Sequence, residues 1–271
     1  MKPLVIVLGI IATLGIAPAC HRATAPRAEE PATPEIARLR LEKEGARRAR
    51  LSGQYTARGQ GLAGLLSTAE LDVLVEMPAR AHVAVRSFFD QPLWILATDG
   101  ATLTGFDATS PTGPRWFSGP ADGTAFGELL GVSLWPNDLV ALLLGIAPAA
   151  GSEALQLAVD TRRGTYEVGL REPQGTLSIV TARVYDDCLL RWRRYEPSGA
   201  LLFDVLYESL LPVGDTTLGT ELIVRLPNAS DEVPGVLRLS GREMEINGLP
   251  FPEEAFRLAP PARTQVEPLT P

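Results

Sequence analysis

Leu134-Trp135-Pro136-Asn137-Asp138-Leu139-Val140-Ala141-Leu142-Leu143-Leu144-Gly145 is a helix-like block in a chain of otherwise strand-like runs. Pro136 suits the first turn of a helix, where its fixed φ is pre-set and its missing N–H costs nothing. Asn137 and Asp138 sit at that helix start, and Gly145 follows the last turn, where a C-cap residue is expected. Leu139, Leu142 and Leu143 recur at helical spacing, yet Leu139 to Leu144 has no polar face, so the helix must be covered on most sides. Upstream, Phe126, Leu129 and Leu130 repeat the spacing, and Ala121 to Gly145 reads as two short helices that act as a plug or lid.

On both sides of this segment the pattern is different. Short alternating runs separated by Gly, Pro and Asp are the mark of an antiparallel sheet. They include Gly53 to Gly59, Ala69 to Met77, His82 to Phe88, Leu93 to Thr98 and Ala101 to Phe106 before the helices. After them come Leu155 to Asp160, Thr165 to Leu170, Leu177 to Val184, Leu189 to Tyr195, Leu202 to Ser209, Glu221 to Leu226 and Gly235 to Ile246. Asp99-Gly100, Arg163-Gly164 and Ser198-Gly199 supply tight turns. Pro34 to Arg50 reads as a surface helix started by Thr33-Pro34, with Glu35 in its first turn and a basic end. The expected fold is mainly β with a few helices: a single antiparallel curved sheet, a half-barrel of about eleven strands, with short helices covering an apolar cavity.

The N-terminus carries an export signal: Lys2, then the uncharged Pro3 to Ala19. Its dense apolar part, Leu4 to Ala17, is too short to span a bilayer. The signal ends in Ile16-Ala17-Pro18-Ala19-Cys20, which resembles the lipobox of bacterial lipoproteins. On that resemblance residues 1–19 are removed and Cys20 is acylated, anchoring the chain firmly through several acyl chains. An ordinary secretory peptide cleaved near Ala19, with Cys20 incidental, is the other reading. Residues 20–33, rich in Ala, Pro and charge, read as a flexible tether. Residues 34–258 are expected to form one domain and 259–271 a disordered tail. If Cys20 is acylated, Cys188 has no partner within the chain, and it reads as a small core residue. A net charge of −7 and a pI near 5.0 argue against a nucleic-acid partner.

From Leu51 to Pro148 the order of features resembles the LolA/LolB family of periplasmic lipoprotein carriers and outer-membrane lipoprotein receptors, the receptor branch above all. A helix leads into Leu51-Ser52-Gly53-Gln54-Tyr55-Thr56-Ala57-Arg58-Gly59. Pro78-Ala79-Arg80-Ala81-His82-Val83-Ala84-Val85 follows, then Asp99-Gly100, then Leu134 to Pro148, where a Pro precedes a Leu-rich turn closing on Gly145-Ile146-Ala147-Pro148. The resemblance implies an eleven-stranded half-barrel with a helical lid, and no cofactor. It implies a membrane-contact loop at Ser87-Phe88-Phe89-Asp90-Gln91-Pro92, with Phe89 protruding and Phe88 free to pack inward; the residues alone equally allow both aromatics to pack on the sheet. Trp94, Phe106, Trp116, Phe126, Leu129, Leu130, Leu134, Trp135, Leu139, Leu142 and Leu143 become candidates for the wall of an acyl-chain cavity, or plain core. Arg58 is the counterpart offered for the arginine that closes the lid in the carrier branch.

An enzyme is disfavoured by the residues. His21 and His82 are the two histidines, which leaves no His-based triad or zinc cluster. Ser133, Ser152 and Ser178 lack a Gly-x-Ser-x-Gly elbow, and Gly59-Gln60-Gly61-Leu62-Ala63-Gly64 matches a dinucleotide fingerprint by letters alone, outside any βαβ unit. Asp186-Asp187 and Glu253-Glu254 read as solvated turns, and Arg191-Trp192-Arg193-Arg194-Tyr195 as a strand with cross-strand ion pairs. The expected partners are acyl chains of lipoproteins or other lipids, the membrane through Cys20, and a soluble periplasmic carrier. The expected setting is a monomer lipid-anchored to the outer membrane and facing the periplasm. A scaffold lipoprotein with a filled core is the alternative.

Overall fold

The computed structural model describes residues 29–60, 68–87, 91–110, 112–125, 134–227, 235–261 and 264–269. The chain enters through α1 (Pro34–Gly45), which begins where the Thr33 hydroxyl accepts the Ile36 N–H at 3.2 Å, with Pro34 in the first turn. Ala37 and Leu41, one turn apart, form its buried stripe, while Ile36 and Leu39 face out. The helix ends earlier than expected: the backbone is already extended at Arg50, where β1 starts.

Among the described residues, fourteen strands form one sheet. In chain order they are β1 (Arg50–Gln60), β2 (Ala69–Glu76), β3 (Arg80–Arg86), β4 (Pro92–Thr98), β5 (Thr102–Asp107) and β6 (Arg115–Pro120). The helix α2 (Pro136–Leu144) follows. Then come β7 (Glu153–Asp160), β8 (Thr165–Arg171), β9 (Leu177–Arg183), β10 (Leu189–Tyr195), β11 (Leu201–Val213), β12 (Thr216–Leu226), β13 (Gly235–Ile246) and β14 (Val266–Pro268). The order across the sheet is β14-β6-β5-β4-β3-β2-β1-β13-β12-β11-β10-β9-β8-β7. Two antiparallel meanders are thus joined at the centre by β1 and β13, from Leu51 opposite Ile246 to Gln60 opposite Val236.

The sheet is open, with edges at β14 and β7, and larger than the expected eleven strands. All twelve sequence-level candidates are strands. The two additions are β6, whose Arg115–Pro120 run is flanked by prolines, and β14, which pairs parallel to β6. Val266–Pro268 lies in the stretch expected to be a disordered tail, and Leu269 after it is buried. The turns follow the sequence: Gly100, Gly164 and Gly199 all take positive φ.

α2 lies across one face of the sheet, against β1, β2 and β3. The opposite face of β3 and β4 is covered by the 3-10 turn Glu253–Phe256, where Phe256 is buried and the His82 Nδ1–H donates to the Ala255 carbonyl at 2.8 Å. His82 is therefore a structural residue. Cys188 is free and buried, and burial pushes its thiol pKa up.

Candidate functional site

Alternation along the central strands aims one set of side chains at α2. Tyr55, Ala57 and Gly59 on β1, Leu71 and Val73 on β2, Val83 and Val85 on β3, Trp94 and Leu96 on β4, and Leu237 and Leu239 on β13 curve around a cavity of about 350 Å³. Leu139 and Leu143 of α2 form its cover, and Phe117 and Leu269 its far wall. Phe117 fits because Gly105 lies beneath it: a Cβ at Gly105 would stand 2.1 Å from the Phe117 Cζ.

Polar groups gather at the β5–β6–β14 side. Arg115 lies 3.2 Å from Asp107 and 3.6 Å from Glu267, and Thr109 donates to Asp107 through its hydroxyl at 2.6 Å and its N–H at 2.8 Å. Burial raises the Asp107 carboxyl, but the Thr109 and Arg115 hydrogen bonds outweigh it and leave the pKa below the usual carboxylate value. The site is thus an apolar cavity with one charged margin.

α2 is fastened to the other half of the sheet. At its N-terminus Asp138 lies 3.2 Å from Arg194, which also pairs with both oxygens of Glu172. In its middle the Tyr207 hydroxyl donates to the Leu142 carbonyl at 3.2 Å. At its C-terminus the buried Arg48 donates to the Leu144 and Gly145 carbonyls at 3.2 and 2.7 Å, and it pairs with Glu44 of α1 at 2.8 Å. A guanidinium there meets the negative end of the helix dipole. Gly145 takes the αL conformation, φ 62°, that the C-cap requires.

Of the residues singled out from sequence, Trp94, Leu139 and Leu143 line the cavity. Phe106 and Trp116 do not: they stack on each other on the opposite face of the sheet, ring centroids 5.1 Å apart. One residue of alternation separates them from Asp107 and Phe117, which face inward. Leu134 and Leu142 are buried away from the cavity, and Trp135 is half-exposed at the head of α2. Arg58 is exposed, because Ala57 and Gly59 take the inward places on β1. The arginine that holds α2 is Arg48, a position sequence reasoning passed over. Cys20, Phe88, Phe89, Phe126, Leu129 and Leu130 lie outside the described residues. Val85 and Leu93, on either side of the Phe88-Phe89 loop, both line the cavity, and the Ser87 N–H donates to the Gln91 carbonyl at 2.8 Å.

The charged motifs are more structural than the sequence suggests. Asp187 accepts the Tyr166 hydroxyl at 2.8 Å and pairs with Arg40 at 2.9 Å, tying α1 to the sheet. Arg191 pairs with Asp204 across strands and Arg193 with Glu167, while Trp192 and Arg194 point into the core. Among the described residues no group of three or more His, Cys, Asp or Glu side chains is placed to hold a metal, and no helix is long and apolar enough to cross a membrane.

No known protein-family profile and no curated protein matches this sequence. Solved structures do share its fold. A LolA superfamily protein from Nitrosomonas europaea superposes with a TM-score of 0.55 at 16% identity, covering 81% of this chain and 96% of its own. A DUF1329 family protein from Desulfovibrio piger gives 0.55 at 9% identity, covering 83% and 96%. A putative outer membrane lipoprotein-sorting protein domain from Vibrio parahaemolyticus gives 0.53 at 10% identity, covering 82% and 97%. At these identities the likeness is one of fold alone, a distant similarity to the LolA superfamily protein and the putative lipoprotein-sorting protein domain.

Proposed function

We propose that this chain is a non-enzymatic lipid- or lipoprotein-handling protein of the cell envelope, anchored to the outer membrane by acyl chains on Cys20 and facing the periplasm. Its role is to accept the acyl part of a cargo lipoprotein in the cavity beneath α2. The observation that carries this reading is the apolar lining contributed by β13, β1, β2, β3, β4 and β6 and by the Leu139–Leu143 side of α2. At about 350 Å³ the cavity is at the small end of the range for ligand sites, about 300–1,000 Å³. The fold shared with a putative lipoprotein-sorting domain supports the same reading.

Transfer needs no nucleotide. Each methylene taken from water contributes on the order of 0.8 kcal/mol, so a receiver that buries more of a chain draws it from one that buries less. In this scheme Cys20 is the anchor and Phe88 and Phe89 supply the membrane contact, in the stretch of chain between the cavity-lining Val85 and Leu93.

Mass spectrometry of lipids extracted from the natively purified protein, with displacement of a fluorescent acyl probe, tests it. Leu139→Trp, which fills the space under α2, should weaken probe binding by about tenfold, or 1.4 kcal/mol, while leaving folding intact. A reproducibly empty protein that binds no acyl probe sinks the proposal and leaves the scaffold reading.

A further inference from the structure

β14 is the odd strand of this sheet. Every other pairing is antiparallel, whereas Val266, Glu267 and Pro268 lie parallel to Trp116, Phe117 and Ser118 on the edge of β6. All three residues are exposed, so the strand is held by ladder bonds rather than by packing. Pro268 is tolerated because, with the Leu269 N–H turned to β6, the nitrogen of residue 268 faces away from it. What is buried is Leu269: its N–H donates to the Ser118 carbonyl at 2.8 Å and its side chain enters the cavity wall. Its seat exists because Gly119 has no side chain; a Cβ there would lie 2.6 Å from the Leu269 Cβ. Two residues earlier Glu267 meets Arg115 at the charged margin.

The segment therefore presents together an extended backbone on a sheet edge, an apolar side chain in the cavity and an acid on Arg115. We infer that β14 and Leu269 occupy the place of cargo and must leave before it binds. The cargo's first residues displace β14 from β6, and its acyl chain takes the space of Leu269. This rests on the acyl-cavity reading above and names the segment of this chain that the cargo must displace there. Direction supports exchange. A polypeptide acylated at its N-terminal residue, with the acyl group where Leu269 sits, runs back past Glu267 towards Val266, antiparallel to β6. Antiparallel pairing is slightly the more stable. Strand addition supplies affinity through main-chain bonds whatever the cargo sequence, which suits a receiver of many polypeptides.

The experiment uses the full chain carrying Cys20→Ser, so that no acyl group of its own competes, and two probes: fluorescent palmitate, and a dipalmitoyl peptide of about eight residues. Ending the chain after Pro261 should raise the affinity for the lipopeptide relative to palmitate about fivefold or more. A cysteine pair, Trp116→Cys with Val266→Cys, pins β14 when oxidised; it should abolish lipopeptide binding, spare palmitate binding and be reversed by reduction. N-methylation of the peptide backbone should remove the lipopeptide's advantage. An unchanged affinity ratio after truncation, or lipopeptide binding that ignores the oxidised lock, overturns the exchange while palmitate binding still upholds the cavity. Failure of both probes on every form removes the cavity reading with it.

Discussion

Asp138→Asn should make the protein more stable at neutral and alkaline pH, although it removes one member of a buried ion pair. The side chains of Asp138 and Arg194 are 4% and 3% exposed, and Glu172, at 10%, holds the same guanidinium. Two carboxylates thus share one positive charge away from water. Burial pushes the Asp138 carboxyl up to about 6, Arg194 opposes this, and the negative charge of Glu172 adds to it. The proton is held more tightly in the folded state than at the ordinary value of 3.8. The stabilising contribution is complete below that value and is lost as pH rises through about 6. That difference corresponds to a loss of about 3 kcal/mol as an upper bound. Asparagine has the same shape and never ionises, so the variant keeps the contribution throughout. Urea unfolding followed by tryptophan fluorescence, from about pH 4 to pH 8, should show the two proteins alike at the acid end. The variant should lead by 1 to about 3 kcal/mol at the alkaline end. A variant less stable than the parent near pH 8, or a gap that fails to close in acid, would mean that the attraction to Arg194 outweighs burial.

Two further substitutions probe how the cavity is built. Arg48→Ala strips the C-terminus of α2 of its cation and leaves Glu44 partly buried without it, and should cost about 3 kcal/mol or more in urea unfolding. Gly105→Ala drives a methyl into the Phe117 ring and towards the Ile95 carbonyl, 2.7 Å away; a loss of about 1–3 kcal/mol is expected, with acyl-probe affinity reduced because Phe117 must leave its place.

Much of the fold is written in local signals. Alternation and turn glycines mark twelve strands, and the Pro136 to Gly145 helix is framed by a residue that starts helices and one that ends them. Partner choice is less local. Nothing in Val266–Pro268 announces a strand, since three residues show no period and the pairing depends on the exposed edge of β6. The cavity lining was half legible for a related reason. Trp94, Leu139 and Leu143 are apolar where the geometry needs them, but Phe106 and Trp116 differ from Asp107 and Phe117 by one step of alternation. A run such as Thr102–Asp107 does not say which face is inside, because Gly105 and Asp107 stand beside Leu103 among the inward positions. The signal that could have found Phe117 is its register opposite Gly105, a small residue across from a large one. Arg48 and Arg194 look like surface charge in sequence and become buried only because helix carbonyls and carboxylates from distant strands converge on them.

The joining of β1 to β13 at the centre of the sheet bears on how the molecule comes into being. The meanders β2–β6 and β7–β12 are each built from neighbours in sequence and can zip locally, but the wall they share requires residues 50–60 to find 235–246. That closure spans most of the chain and carries the entropy of a long loop, a topology that folds slowly. The two meanders can form early, but the wall that joins them is completed only when residues 235–246 are available.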